Sequence, residues 1–288
     1  MRRKGIILAG GAGTRLYPMT EAISKQMAPV FDKPMIYYAL SILFLAKIRE
    51  ILIISTPQHT EMYEAFLGDG SNFGVTIEYV IQEAPDGLAQ AYILAENFLS
   101  GNPSALILGD NIFYGNNLTD MLKKSADINS KPTIFCAQVP DPQRFGVVEL
   151  NERNEILSIE EKPKSPKSNY AVTGLYFMPS EAPEIAKSVS PSERGELEIT
   201  SVLEHYVKSN MLKAQLLKRG FAWFDTGTHQ SLLRASNFVE TIQSQQRTMI
   251  ACLEEIAFNN NWIDADQLYR IALRYQKSHY GQYLLGLI

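Results

Sequence analysis

The sequence predicts an α/β protein: a Rossmann-like, mostly parallel sheet with helices on both faces, added antiparallel hairpins and a C-terminal helical segment. Three patterns predict it. Short runs rich in Ile, Val and Leu alternate with helical patterns over the first 132 residues, which is the rhythm of βαβ units buried on both faces. From about residue 133 strand patterns crowd together with turn-like stretches between them, which suggests hairpins. From about residue 229 strand patterns give way to helical ones.

In chain order, KGIILA reads as the first strand, and a helix runs from about Pro34 through PMIYYALSILFLAK. EILIIS, TIEYVIQ, LAQAYILAENF and SALILGD continue the alternation. FGVVEL, ILSIEEKP and AVTGLYFMP follow closely, with NERNE as the turn between the first two. A helix near ELEITSVLEHYVKS leads into KAQLLKRGFAWFDTGTH, read as one strand ending in a loop with an aspartate. In WIDADQLYRIALRY, Asp264 is placed to cap a helix, Gln267 stands three residues on, and Ile263 and Leu268 can form a hydrophobic staple. Leu268, Ile271, Ala272 and Tyr275 then share one face. The expected division is an α/β core over 1–228, with a first half at about 1–132 and a second at about 133–228. A helical segment over 229–288 then closes the core or forms an interface.

Composition bounds the function. With 45% hydrophobic and 20% charged residues in 288, the chain can bury a large core. A net charge of -4 gives no general attraction to nucleic acid. Cys136 and Cys252 stand alone, which supports neither a disulfide framework nor a zinc site. The apolar stretch Ile6 to Ala9 is too short for a signal peptide, and no run approaches the ~18 apolar residues of a membrane span, so the expectation is a cytoplasmic protein without a membrane partner.

The stretch GGAGTRL at 10–16 follows the first strand, where open α/β sheets bind ligands. It is neither a P-loop, lacking the Lys-Ser/Thr pair, nor a full dinucleotide fingerprint, since Leu16 stands at the third glycine's place. Bare backbone N–H groups and the planar fork of Arg15 suit a polyphosphate. On pattern alone a tight turn with a surface arginine remains the alternative.

GGAGTRLYPMT followed by SKQMAPVFDKPMIYYALS resembles the signature of the sugar nucleotidyltransferases. Further matches are QEAPDGLAQA (82–91), LGDNIFYG (108–115), QRFGVVEL (143–150), EEKPKSPKSNYAVTGLYF (160–177), RGELEIT (194–200) and AWFDTGTHQSLLRAS (222–236). Within that family the pattern is similar to the branch that joins glucose 1-phosphate to dTTP, giving dTDP-glucose and pyrophosphate on the way to dTDP-rhamnose.

The resemblance implies Mg²⁺ as cofactor, held by Asp110 and Asp225, and a homotetramer. It implies Arg15 and Lys25 around the triphosphate, Lys162 on the sugar phosphate, and Gln26 and Gln82 on the thymine edge. Gly10, Gly11, Gly13, Thr14, Gly87 and Asp110 complete the implied nucleotide site, and Asn111, Gly146, Glu161 and Val172 the implied glucose site. The attacking phosphate monoester is mostly dianionic near neutrality, with a second pKa of about 6, so no general base is required. Accordingly, none of His59, His205, His229 and His279 sits beside a serine or cysteine in a nucleophile motif.

Phe145 stands where the family often has tyrosine. Asn116, Asn117 and NNNWID near 259 depart from its pattern where it tends to bind a regulatory dTDP-sugar, so the resemblance carries feedback control less far than catalysis. The alternatives are a transferase for another nucleotide such as UTP, and a catalytically silent dTDP-sugar sensor.

Overall fold

A computed structural model describes residues 1–11 and 13–288; Ala12, within the glycine-rich stretch, lies outside the described residues. β1 (Lys4–Leu8) runs into the glycine turn, and α1 (Met19–Ala22) and the small hairpin of β2 (Pro29–Val30) and β3 (Lys33–Pro34) precede α2 (Ile36–Leu45). The alternation then holds through β4 (Glu50–Ser55), α3 (Thr60–Leu67), β5 (Thr76–Ile81), α4 (Gln90–Leu94), α5 (Glu96–Leu99) and β6 (Ser104–Leu108). These four strands are parallel in the order β6-β1-β4-β5. The order reverses between β1 and β6, so their carboxyl ends form the switch point at which such sheets bind ligands.

β7 (Asn111–Gly115) and α6 (Leu118–Ala126) follow, then β8 (Thr133–Gln138), β9 (Gly146–Leu150), β10 (Ile156–Glu161) and β11 (Tyr170–Met178). β9 and β10 form the expected antiparallel hairpin, and β11 pairs antiparallel with β6, β8 and β9. α7 (Ala182–Lys187) and α8 (Ile199–Lys208) lead to β12 (Lys213–Leu217) and β13 (Phe221–Asp225). The stretch read as one strand before the second aspartate is therefore two strands in two sheets. β12 runs parallel to β8 in the main sheet, whereas β13 pairs antiparallel with β7 in a separate ribbon. The break is a turn at 218–221, closed by the Phe221 N–H on the Lys218 carbonyl, with Gly220 at φ +93°.

Alternation along the strands sorts their side chains to two faces. Ile7, Ile51, Ile53, Ile107, Phe135 and Phe177 face one core, with α2 and the C-terminal helices over it. Ile6, Leu52, Ile54, Leu106, Cys136 and Tyr176 face the other, covered by α4, α5, α7 and α8. α9 (His229–Gln246) starts with a Thr228–Ser231 capping box, and α10 (Leu253–Asn259), α11 (Ala265–Arg274) and α12 (His279–Leu285) follow. Asp264 caps α11 through the Gln267 N–H at 2.7 Å. The Gln267 amide does not turn back on the cap; it donates to the Ser71 and Asn72 carbonyls, tying α11 to the loop before β5. Ile263 and Leu268 are both buried, as are Ile271 and Ala272, while Tyr275 at the end of the stripe is partly exposed. No helix among the described residues is long and apolar enough to cross a membrane.

Leu253, Ala257, Leu268 and Leu284 belong to the same cluster as the α2 and strand residues, so the C-terminal helices complete a core. Leu253 is wholly buried in it. Leu253→Ala should therefore lower the unfolding free energy of the full chain by about 2–5 kcal/mol, the cost of the lost apolar transfer plus a cavity. Urea unfolding followed by circular dichroism checks this; an unchanged midpoint would separate the C-terminal layer from the core.

Candidate active site

Two cavities open at the carboxyl ends of β1 and β6. The smaller, about 420 Å³, is edged by Gly10, Gly11, Gly13 and Thr14 of the turn after β1, with Lys25, Gln26 and Gly227 opposite. The larger, about 550 Å³, is lined by Asn111, Arg144, Glu161, Lys162, Trp223 and Asp225, with Gly146, Val172 and Thr200 among its other walls. Arg15, Asp110 and Glu196 belong to both, so the two cavities meet there.

The two aspartates reach this junction by different routes. Gly109 turns the chain after β6, its N–H bonded to the Leu8 carbonyl at 2.9 Å, and Asp110 follows it. Asp225 ends β13 directly opposite Asn111 on β7. Burial raises the Asp225 carboxyl above its ordinary range, and the facing Asp110 raises it further; Lys25, Arg15 and Arg144 oppose both effects. Lys25 pairs with Asp110, and Arg144 with Asp225 at 3.2 Å. Two carboxylates and several cations thus share a small, partly dry volume, where electrostatic effects are large.

Asn111 is almost fully buried. Its amide donates to Asp110 Oδ1 at 2.9 Å, and its oxygen accepts from Trp223 Nε1 at 2.6 Å and from the Gly174 N–H at 3.4 Å. One side chain therefore orients Asp110 and fixes the indole that walls the larger cavity. Phe145, in place of a tyrosine, packs edge-on against Trp223 at 5.3 Å between ring centroids and lies under the Arg144 guanidinium.

Glu161, at the end of β10, projects beside Gly146, where an added Cβ would lie 3.3 Å from its Oε2. Burial and the neighbouring Glu198 raise its carboxyl above the ordinary range, opposed by Lys162, Arg194 and a hydrogen bond from Thr200. Lys162 is held at φ +44° with its N–H on the Phe145 carbonyl, and its ammonium is 3.8 Å from Glu161. A lysine in that sparsely populated backbone region is a mark of local constraint.

The remaining predicted residues are less closely gathered. Gln26 lines the smaller cavity, and its Oε1 accepts from Ser24 at 2.9 Å and Tyr63 at 3.3 Å. Gln82 and Gly87 line neither cavity. Gln82 nevertheless lies against the glycine turn, since a Cβ on Gly10 would stand 2.6 Å from its Oε1, and its amide donates to Gln90 at 2.6 Å. Gly87 sits at φ +111° with Leu197 backbone atoms 2.5 Å from where a Cβ would be, so only glycine fits.

Arg144, Arg194, Glu198 and Trp223 lie in motifs already quoted but carry no predicted role. Arg194 pairs with Glu198 at 2.6 Å and with Glu161 and Glu196 at 3.5 Å each. Arg144 and Trp223 gain their meaning from partners distant in sequence, which a linear pattern does not display. No group of three or more His, Cys, Asp or Glu side chains placed for a metal ion occurs among the described residues.

The model of the nucleotidyl transferase family matches residues 4–242. A glucose-1-phosphate thymidylyltransferase of Neisseria meningitidis is 54% identical over 285 residues, covering 99% of each chain. One of Xanthomonas campestris pv. campestris is 53% identical over 286 residues, covering 99% of this chain and 97% of the relative. A solved chain from Bacillus anthracis, in complex with a sucrose, is 42% identical over 82% of this chain and 94% of its own, with a TM-score of 0.76. A UDP-glucose pyrophosphorylase complexed with UDP-glucose is 26% identical over 84% of this chain and all of its own, with a TM-score of 0.74. The chain belongs to the nucleotidyl transferase family.

Proposed function

We propose that the protein transfers a thymidylyl group from dTTP to α-D-glucose 1-phosphate, giving dTDP-glucose and pyrophosphate as the first step toward dTDP-rhamnose and related deoxysugars. The observation that carries this reading is the junction at Arg15 and Asp110, where a glycine-edged cavity meets one walled by Glu161 and Lys162. The names of relatives about 54% identical over nearly their whole length support the choice of base and sugar. The reading includes a homotetramer and a cytoplasmic location; the departures at Asn116, Asn117 and near residue 259 keep a dTDP-sugar effector outside it.

In this reading an oxygen of glucose 1-phosphate forms a bond to the α-phosphorus while the bond to the bridging β-oxygen breaks, and that electron pair leaves with pyrophosphate. The attacking phosphate is already dianionic, so positioning and charge compensation are what the protein supplies. Arg15 clamps phosphate oxygens as a fork and Lys25 meets them as a point charge. Lys162 holds the sugar phosphate, and Glu161 accepts from glucose hydroxyls. Asn111 and the backbone at Gly146 and Val172 complete that side. Gln26 and Gln82 face the thymine edge, with backbone at Gly10, Gly11, Gly13, Thr14 and Gly87 along the nucleotide.

The donor set fits Mg²⁺. The charge of Asp110 is felt at Asp225, and a hard cation that binds one or two carboxylates would suit such a pair. When bound there, Mg²⁺ supplies Lewis-acid polarisation of the α-phosphate.

Incubation with glucose 1-phosphate, Mg²⁺ and equal dTTP, UTP, ATP and CTP should release pyrophosphate and give dTDP-glucose as the main product by mass. Absence of release would sink the transferase reading in favour of a sensor; a UDP-glucose majority would change the base. Asp225→Asn should lower kcat by at least roughly 100-fold, more than losing a residue behind the ligands costs, with melting temperature retained. Arg15→Ala should cost a similar factor in kcat/KM for dTTP, as other lost charge-stabilising donors do, by roughly 100-fold. Unchanged turnover in either variant would remove its assigned role.

Glu161 also gives a pH signature. Its carboxyl is raised in the folded protein, so above the ordinary value of 4.5 the native state binds more protons there than the unfolded chain, and its contribution to stability falls as pH rises. Glu161→Gln removes that penalty. The variant should gain melting temperature over the unsubstituted protein at alkaline pH relative to acid pH, while its KM for glucose 1-phosphate rises. A melting-temperature difference that does not vary with pH would refute this.

A further inference from the structure

Asp110 and Asp225 carry like charge, and Asp110 lies in the turn between β6 and β7 while Asp225 ends β13, so something must keep them from turning away from each other. The β7–β13 ladder ends at the pair Asn111 and Asp225, one residue short of Asp110. Thr226 adds one more rung. Its N–H reaches the Asp110 carbonyl at 3.4 Å, and its hydroxyl donates to the same oxygen at 2.8 Å. The side-chain bond is the short one, so the hydroxyl rather than the backbone closes this end of the ribbon. Thr226 is fully buried. A second acceptor, Met35 Sδ, lies 3.1 Å from the hydroxyl, but a thioether is the weaker acceptor of its single proton.

We infer that Thr226 is a positioning residue: by tying its hydroxyl to the Asp110 carbonyl it fixes the separation of the two carboxylates, and through that separation the affinity of the site for a divalent cation. The inference rests on the metal reading of Asp110 and Asp225 given above. Alanine or valine at 226 leaves the Asp110 carbonyl with only the long N–H contact, whereas serine keeps the short bond. Ligands of a metal site must be held to within about 0.5 Å of their working geometry, so a loosened rung is felt in affinity before it is felt in fold.

The test titrates Mn²⁺ into the full chain saturated with dTDP-glucose and follows water-proton relaxation enhancement, which reads binding rather than turnover. Thr226→Ala is expected to weaken Mn²⁺ binding by roughly tenfold, the usual scale for one lost buried hydrogen bond, and Thr226→Ser to restore it. Asp225→Asn in the same titration separates the two claims. If Asp225→Asn binds Mn²⁺ as the unsubstituted protein does, the metal reading fails. If Asp225→Asn loses Mn²⁺ while Thr226→Ala keeps it, the metal reading stands and the role of Thr226 is overturned. Serine weakening binding as much as alanine overturns it too. Should Thr226→Ala not fold, Thr226→Val keeps the volume without the hydroxyl and is judged by the same outcomes. If neither folds, the hydroxyl is a structural support and the inference falls.

Discussion

Two carboxylates brought face to face at the ends of strands are the constraint around which the site is arranged. Desolvation and mutual repulsion both act against ionised Asp225, and the surrounding cations offset them. Lys25 pairs with Asp110 and Arg144 with Asp225, so each acidic group has its own positive partner. Lys25 and Arg15 also act on Asp225, so its charge is shared among several cations rather than balanced by one. The β7–β13 ribbon follows from the same constraint. Without it Asp225 would stand on a chain segment with no fixed relation to β6, and the antiparallel register opposite Asn111 is what supplies that relation.

The two cavities are also joined from above. The segment from Ser192 to Glu198 spans their edges: the Leu197 N–H donates to the Asp86 carbonyl at 2.6 Å, and the Leu197 carbonyl accepts from Ala89 at 2.9 Å. The same segment carries Glu196, which borders both cavities, and Arg194, which reaches Glu161. Gly87 is bare because this backbone lies against it. Under the proposed reaction the nucleotide edge and the glucose edge are therefore braced by one short stretch of chain.

The parallel half of the fold was legible because its signal is local. KGIILA, EILIIS and SALILGD are apolar runs whose strands are mostly buried, TIEYVIQ forms the half-exposed edge strand, and each forms a strand at its predicted place. What was not legible depends on pairing at a distance. NIFYG is too short and too mixed to announce β7, and its role emerges only from β13, more than a hundred residues later. The merged reading of KAQLLKRGFAWFD failed for the same reason, since a Lys-Arg-Gly turn between two apolar runs does not say that they belong to different sheets. In the site, the glycine turn and both aspartates stood at legible strand ends. Thr226 and Arg144 did not stand out, because a threonine after an aspartate and an arginine before an aromatic gain meaning only from the Asp110 carbonyl and the Asp225 carboxylate.

The C-terminal helices meet the same machinery through buried polar contacts. Gln243 of α9 donates to Asp32 at 3.1 Å and accepts from Lys33 at 3.3 Å and from the Ile250 N–H at 2.9 Å. Lys33 is almost wholly buried, and that burial lowers its pKa against the pull of Asp32. Asp32 and Lys33 lie on the β2–β3 hairpin that follows Lys25 and Gln26, while α9 begins just after Asp225. One helix therefore takes its start from the second aspartate and fixes, near its far end, the segment that carries Lys25. A buried amide serving three partners tolerates little displacement, because any partner it leaves becomes an unsatisfied polar group in a dry interior. The helical layer thus closes a core and holds the two sides of the charged junction in one frame.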